Sequence, residues 1–393
     1  MRRIYLDHAA TTPVNPEVIA AMLPYFHNNF GNPSSVHGFG REARKAVDEA
    51  REKVAKAIGA DVREIVFTSG GTEADNLAIQ GIVLAKQDKG KHIVTSAIEH
   101  HAVIDTCGFL GTQGFEVTYL PVDEYGLVTP ADVLAAIRPD TILITIMHAN
   151  NEMGTVQPIA EIGKIARAHG ITFHTDAVQS IGSIPVDVNE LNVDLLSLSA
   201  HKFYGPKGIG VLYIRKGTKI KPVTHGGGQE RKYRPGTENH ASIVGLGKAI
   251  ELATTNLVEK QSKIRMLRHR LIAGLLAIPE VKLNGHPEQR LSGNVNVSIR
   301  YVEGESLILS LDMKGVAVSS GSACTSGSLD PSHVLLAMGL SHEEAHGSLR
   351  LTLGHDNTEE EVDYVLSVLP EIIERLRKMS PLYSQRYSIP VRT

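Results

Sequence analysis

Between residues 60 and 215, short β-branched runs alternate with stretches whose apolar positions repeat at the helical period. Ile65-Val66-Phe67-Thr68 precedes a predicted helix over 72–86, and His92-Ile93-Val94-Thr95 precedes one near 101–111. The apolar run 142–146 leads to a helix around 159–169 and then to a further strand, Ile171-Thr172-Phe173-His174. Strands alternating with helices at this spacing argue for parallel βαβ units and a three-layer α/β core. Ligands in such sheets bind beyond the carboxyl ends of the strands, so the residues just after each strand matter most.

Farther along, 241–277 reads as one long charged helical stretch, most amphipathic over 251–270. Asn294-Val295-Asn296-Val297-Ser298-Ile299 alternates as a half-buried strand would; 305–314 and 333–338 read as helices, and 359–378 as an amphipathic helix. Together these predict a smaller α+β unit. Residues 380–393 lack periodicity and read as a flexible tail. There is no internal repeat.

Composition narrows the function classes. A chain of 393 residues with 42% hydrophobic content exceeds the usual size of one domain. Its 40 Lys and Arg nearly balance 43 Asp and Glu, which gives no electrostatic reason to expect nucleic acid or an anionic membrane as a partner. No apolar run approaches the roughly 20 residues of a membrane span, and the first residues lack a signal peptide's apolar region, which points to the cytoplasm. Only Cys107 and Cys324 occur, so neither a structural disulfide nor a zinc-type cluster is expected.

The strand ends carry the candidate chemistry. The apolar run from Leu195 ends in Ser199-Ala200-His201-Lys202, a place where burial or a neighbouring cation could make a lysine nucleophilic; a surface lysine near a Gly-Pro turn fits the same residues. Ser69-Gly70-Gly71-Thr72-Glu73 joins a strand to a helix, either as an anion cradle or as an ordinary helix cap. Asp176 follows another strand, where a carboxylate could balance a protonated pyridine nitrogen, and Gln179 would share its side if a helical turn starts there. Jointly, an anion cradle, a carboxylate, an amide and a lysine are the groups that a pyridoxal 5'-phosphate site requires.

Six motifs in order extend this reading over nearly the whole chain. They are Tyr5-Leu6-Asp7-His8-Ala9-Ala10-Thr11-Thr12-Pro13, the Ser69 to Glu73 turn, His148-Ala149-Asn150-Asn151-Glu152-Met153-Gly154, Asp176-Ala177-Val178-Gln179, Ser199 to Lys202, and Ser320-Gly321-Ser322-Ala323-Cys324-Thr325-Ser326-Gly327. The chain resembles the class V, fold-type I pyridoxal-phosphate cysteine desulfurases, with Arg234-Pro235-Gly236-Thr237-Glu238-Asn239 leaning toward the nitrogenase-associated branch. The resemblance implies a large cofactor-binding domain over 15–258 and a small domain made of 1–14 and 259–393. It implies that Lys202 forms the Schiff base, Asp176 holds the pyridinium nitrogen and Gln179 the phenolic oxygen. Gly71, Thr72, Ser199 and His201 would bind the phosphate, joined by Thr237 from a second subunit, hence a homodimer. His100 would stack on the ring, and Arg350 with Asn151 would take the carboxylate of L-cysteine. An iron–sulfur scaffold or a sulfur carrier would accept the sulfur, with Cys324 as a transient iron–sulfur ligand shared with a scaffold.

Several of these residues also have readings of their own. Cys324 sits among residues too small and polar to pack, as on an exposed loop, where a thiolate could take sulfur as a persulfide. Cys107 lies in an ordinary helical pattern and reads as packing. His100 and His101 are adjacent and point apart, and spacing does not say which faces the site. Arginine suits a carboxylate better than lysine does, and the Leu349, Leu351, Leu353 face would turn Arg350 toward the cleft. Gly226 to Gly228 with Arg231, Lys232 and Arg234 read as a flexible basic loop. Selenocysteine lyase and class V aminotransferase are the alternative activities, and a non-catalytic assembly platform is disfavoured because Lys202, Asp176, His100, Cys324 and Arg350 are all in place.

Overall fold

The structure, a computed structural model, describes residues 3–320, 331–381 and 383. Cys324 and most of the expected tail lie outside the described residues. Seven strands form the large sheet in the order Ile65–Thr68, Gly210–Ile214, Leu195–Ser199, Thr172–Asp176, Thr141–Thr145, His92–Ser96, Glu116–Leu120. Gly210–Ile214 runs antiparallel to both its neighbours, and every other pairing in that order is parallel. Helices Gly71–Lys86, His101–Thr112 and Ile159–Ala168 connect the strands close to the expected bounds. Apolar cores cover both faces of this sheet: Val47, Ile144, Phe173 and Ile250 belong to one, and Leu77, Ile79, Val103 and Leu212 to the other.

A separate core surrounds the three-stranded sheet Ser348–Thr352, Asn294–Ile299, Val281–Leu283. The helices Gly304–Asp312 and Glu359–Met379 belong to it, and Ile4–Tyr5 joins it by pairing in parallel with Val316–Ala317. The segment after that first strand then crosses to the large sheet, where Thr12 N donates to His201 O at 2.9 Å. A chain start that bridges both cores thereby lies between them, over the strand end that carries Lys202.

Three expectations change. The stretch 241–277 is two helices, His240–Thr254 and Leu257–Leu276, broken where Asn256 takes a left-handed φ of 52°. Asn294–Ile299 is buried on both faces rather than half-buried. Its asparagines meet an internal polar network: Asn294 and Asn296 both donate to Glu152 O, and Asn284 donates to Asn296 Oδ1 at 2.8 Å. Glycine loop 226–228 leads into a held segment rather than a loose one. Arg234 pairs with Glu73 at 2.9 Å, and Arg231 donates to Ile65 O.

Candidate active site

A cavity of about 310 Å³ opens at the carboxyl ends of the parallel strands, and ten of the residues expected at the site line it. They are Gly71, Thr72, His100, Asn151, Asp176, Gln179, Ser199, His201, Lys202 and Arg350. Lys202 closes a short 3₁₀ turn directly after Leu195–Ser199, and its Nζ donates to Ala9 O at 2.6 Å and Ala10 O at 2.8 Å. Gln179 Nε2 donates to the same Ala9 carbonyl at 3.0 Å. The small residues of the N-terminal motif thus give the lysine a backbone cradle. Neighbouring Thr11 reaches His201 Nδ1 at 3.1 Å.

Asp176 ends its strand with 5% exposure and accepts Val178 N at 2.8 Å. Burial raises its carboxyl to about 6, against the opposing pull of the Val178 amide and of Lys202. Asp75, from the facing Gly71–Lys86 helix, is 1% exposed and is pushed well above the ordinary carboxyl range by burial and then by the charge of Asp176. Two buried carboxyls beside each other favour one charge between them, and a cation at Asp176 places that charge there.

His100 caps the His101–Thr112 helix, its Nδ1 accepting Ala102 N at 3.1 Å. Burial, then the charges of Lys202 and His101, lower its pKa to about 4, so the ring is neutral near pH 7 with its proton on Nε2. His101 instead packs edge-on against His333, with ring centroids 5.0 Å apart. The ambiguity between the adjacent histidines is thereby resolved in favour of His100 lining the cavity. His201 is likewise lowered to about 4, by burial and by Lys202 and Lys207.

Arg350 approaches from the other core. It is 1% exposed; Nη2 reaches Asp7 Oδ1 at 2.9 Å, Nη1 donates to Asn151 O at 3.1 Å, and buried Nε has no hydrogen-bond partner among the described residues. A buried guanidinium at the wall of a cavity is suited to an anion.

A family model described as aminotransferase class-V matches residues 4–365. The chain belongs to the aminotransferase class-V family. It is 62% identical over 386 residues to the "Cysteine desulfurase IscS" of Methanosarcina thermophila, covering 98% of this chain and 96% of that protein. A solved "NifS-like protein" superposes with a TM-score of 0.90 at 40% identity, covering 95% of this chain and all of the other. A structure titled "SspA in complex with cysteine" gives 0.79 at 42% identity, covering 89% of this chain and 98% of that one.

The family is pyridoxal-phosphate-dependent, and the residues of this cavity fit the group. Asp176 provides a buried carboxylate, Lys202 an amine, and Thr72 a hydroxyl at the start of a 16-residue helix. At Gly71 a Cβ would stand 2.8 Å from Val178 Cγ2, so a side chain would crowd the cradle. Close by, a Cβ on Gly210 would meet Leu198 O at 2.6 Å and Gly70 C at 2.7 Å, which explains a glycine where the strand passes beneath the turn.

Two expected site residues are not brought to the cavity by the described residues of this chain. Thr237 is exposed and lies outside the lining, and Cys324 is outside the described residues. The chain on either side of 321–330 is nonetheless tied beside the site. Ser319 and Arg350 exchange backbone hydrogen bonds of 3.1 and 2.7 Å, and Ser332 Oγ donates to Glu152 Oε2 at 2.5 Å, next to Asn151. Cys107 is fully buried, and burial followed by the charge of Glu99 pushes its thiol up to about 12. Among the described residues no cluster of three His, Cys, Asp or Glu could hold a metal ion, and no helix is long and apolar enough to cross a membrane.

Asp7, Asp75 and the Ala9 and Ala10 carbonyls are site groups that the sequence reading did not single out. Asp7 lay inside a quoted motif, but its partner Arg350 is 343 residues away and only the fold joins them. Asp75 follows Thr72 by three positions on one helix, a spacing that puts both near one face.

Proposed function

We propose that this chain converts L-cysteine to L-alanine and carries the released sulfur as a persulfide on Cys324. The observation that carries the reading is Arg350, a guanidinium that lines the same cavity as Lys202 and Asp176. It joins an amino-acid carboxylate site to a cofactor site. The names of the relatives, and the cysteine-bound neighbour, make cysteine the substrate of choice.

Pyridoxal 5'-phosphate, bound in this cavity, supplies the electron sink that makes the substrate's α-proton removable. Asp176 would hold the ring nitrogen's proton, Gln179 the phenolic oxygen, and Gly71, Thr72, Ser199 and His201 the phosphate. Neutral His100 would be the aromatic partner of the ring. Arg350 and Asn151 fix the substrate carboxylate, which directs the α-carbon toward Lys202, and Lys202 moves the α-proton. The thiolate of Cys324 attacks the substrate sulfur: an S–S bond forms as the bond from sulfur to the β-carbon breaks, and that carbon gains the electron pair and a proton to become alanine's methyl group.

The site is shared between two copies, with Thr237 completing the phosphate site of the second. Leu23, Phe26, Phe30 and Phe39 are 60%, 65%, 62% and 55% exposed, an apolar surface suited to a second copy. It is continuous with the Thr237 segment, since Glu238 pairs with Arg44 at 2.7 Å and His240 packs edge-on to Tyr25. Residues 15–258 form the cofactor unit, and 1–14 with 259–393 the smaller one. The persulfide passes to an iron–sulfur scaffold or sulfur carrier in the cytoplasm. Cofactor-loaded protein given L-cysteine and a thiol reductant releases alanine and sulfide in equal amounts; if Cys324→Ala does so at the wild-type rate, the relay through Cys324 is wrong.

A further inference from the structure

The turn that cradles the phosphate and the segment that carries Thr237 share one carboxylate. Glu73, in the first turn of Gly71–Lys86, accepts Ser69 N on Oε2 at 2.6 Å and receives Arg234 Nε on Oε1 at 2.9 Å. Burial pushes this carboxyl up, but the hydrogen bonds from Ser69 and Arg234 outweigh it and hold it below its ordinary value. Arg234 stands three residues before Thr237.

The segment between Gln229 and Asn239 is pinned at both ends. Glu230, Arg231 and Lys232 take successive φ values of 42°, 55° and 71°, a left-handed run that non-glycine residues adopt only when surroundings impose it. What imposes it is a buried fork: Arg51 Nη2 and Nη1 reach Glu230 Oε1 and Oε2 at 2.5 and 2.9 Å, while Phe67 N donates to the same Oε2 at 2.9 Å. The Arg51 and Glu230 side chains are 8% and 3% exposed. Beyond Thr237, Glu238 is held by Arg44 at 2.7 Å. An arm fixed at each end passes on a displacement of its middle, and Arg234 is its link to the phosphate turn.

We propose that the Glu73–Arg234 pair couples the two cofactor sites of the dimer. Glu73 ties the phosphate turn of one chain, through Arg234, to Thr237, which serves the second chain, so a shift of that turn on binding reaches the second site. Glu73 and Arg234 are positioning residues, since neither lines the cavity. Linkage makes the effect reciprocal, so occupancy of either site favours the other. The inference rests on the reading that Thr237 completes the second copy's site.

The test titrates the cofactor-free dimer with pyridoxal 5'-phosphate, following the visible absorbance of the bound form, with dimer mass and thermal midpoint as checks on folding. Wild type binds with a Hill coefficient above 1. Arg234→Gln binds about fivefold more weakly, the loss expected of a partly exposed ion pair, and with a Hill coefficient of 1. Glu73→Gln does the same, and the double variant is no worse than either single one. Non-cooperative binding by wild type, or wild-type affinity and cooperativity in both single variants, overturns the coupling. Thr237→Ala separates the two ideas: unchanged cofactor affinity in that variant refutes the shared site itself, whereas weakened binding there with unaltered Arg234→Gln refutes the coupling alone.

Discussion

Replacing Arg350 by lysine keeps the charge and removes the fork. The ammonium can still neutralise Asp7, whose side chain is 20% exposed, so the buried pair survives in part and the protein folds. What disappears is the second directed donor toward an incoming carboxylate, and Arg350 is 1% exposed, so water does not replace it. A hydrogen bond between charged groups contributes about 1.5–3 kcal/mol. At 1.36 kcal/mol per tenfold change, kcat/KM for L-cysteine falls about 10- to 150-fold. The carboxylate contacts are made alike before and during the chemistry, so most of that loss appears in KM rather than kcat. Alanine formation measured against cysteine concentration checks this, with the visible absorbance of bound cofactor as the control, because Arg350 is given no cofactor contact. A folded, fully loaded Arg350→Lys protein with kcat/KM within twofold of wild type refutes the assignment of Arg350 to the substrate carboxylate.

Two further predictions concern the ground beneath the site. Burial pushes the Glu99 carboxyl up from 4.5 to about 8, so the folded protein retains a proton that the unfolded chain has lost; this group's contribution to stability is full below about pH 4.5 and fades as pH rises toward 8. Glu99→Gln therefore flattens the fall of the cofactor-free protein's thermal midpoint between about pH 6 and 8, and an unchanged slope counts against a protonated Glu99. Gly210→Ala places a methyl 2.6 Å from Leu198 O and 2.7 Å from Gly70 C, so it destabilises by about 1–3 kcal/mol and weakens cofactor binding by displacing the turn. Chemical denaturation and cofactor titration read the two effects, and a neutral result in both rejects the close-packed turn.

Much of the site was legible because the parallel-sheet rule names where to look. Thr72 and Lys202 follow strands and Asp176 ends one, and the fold needs only the strand order to gather them. Arg350 was legible from the leucines on either side, but its partner Asp7 was not, since no local pattern links residues so far apart. The helix Gly38–Ile58 escaped notice although its pattern is plain: Ala43, Val47, Ala50, Val54 and Ile58 recur at the helical spacing among charged residues. The apolar surface around Phe26 and Phe30 failed the inward-facing pattern because those rings point outward. The asparagines of Asn294–Ile299 mimicked a solvent face while facing an internal polar network. The break at Asn256 depends on one left-handed residue in an otherwise helical composition.

The central claim is that sulfur leaves cysteine and rests on Cys324. Protein loaded with cofactor, exposed briefly to L-cysteine without reductant, alkylated and digested, is read by mass spectrometry at its two cysteines. The account predicts the mass of one added sulfur atom on the Cys324 peptide, absent from Cys107 and absent when Lys202 is replaced by alanine. Alanine production with an unmodified Cys324 peptide, or sulfur gained without Lys202, would contradict it.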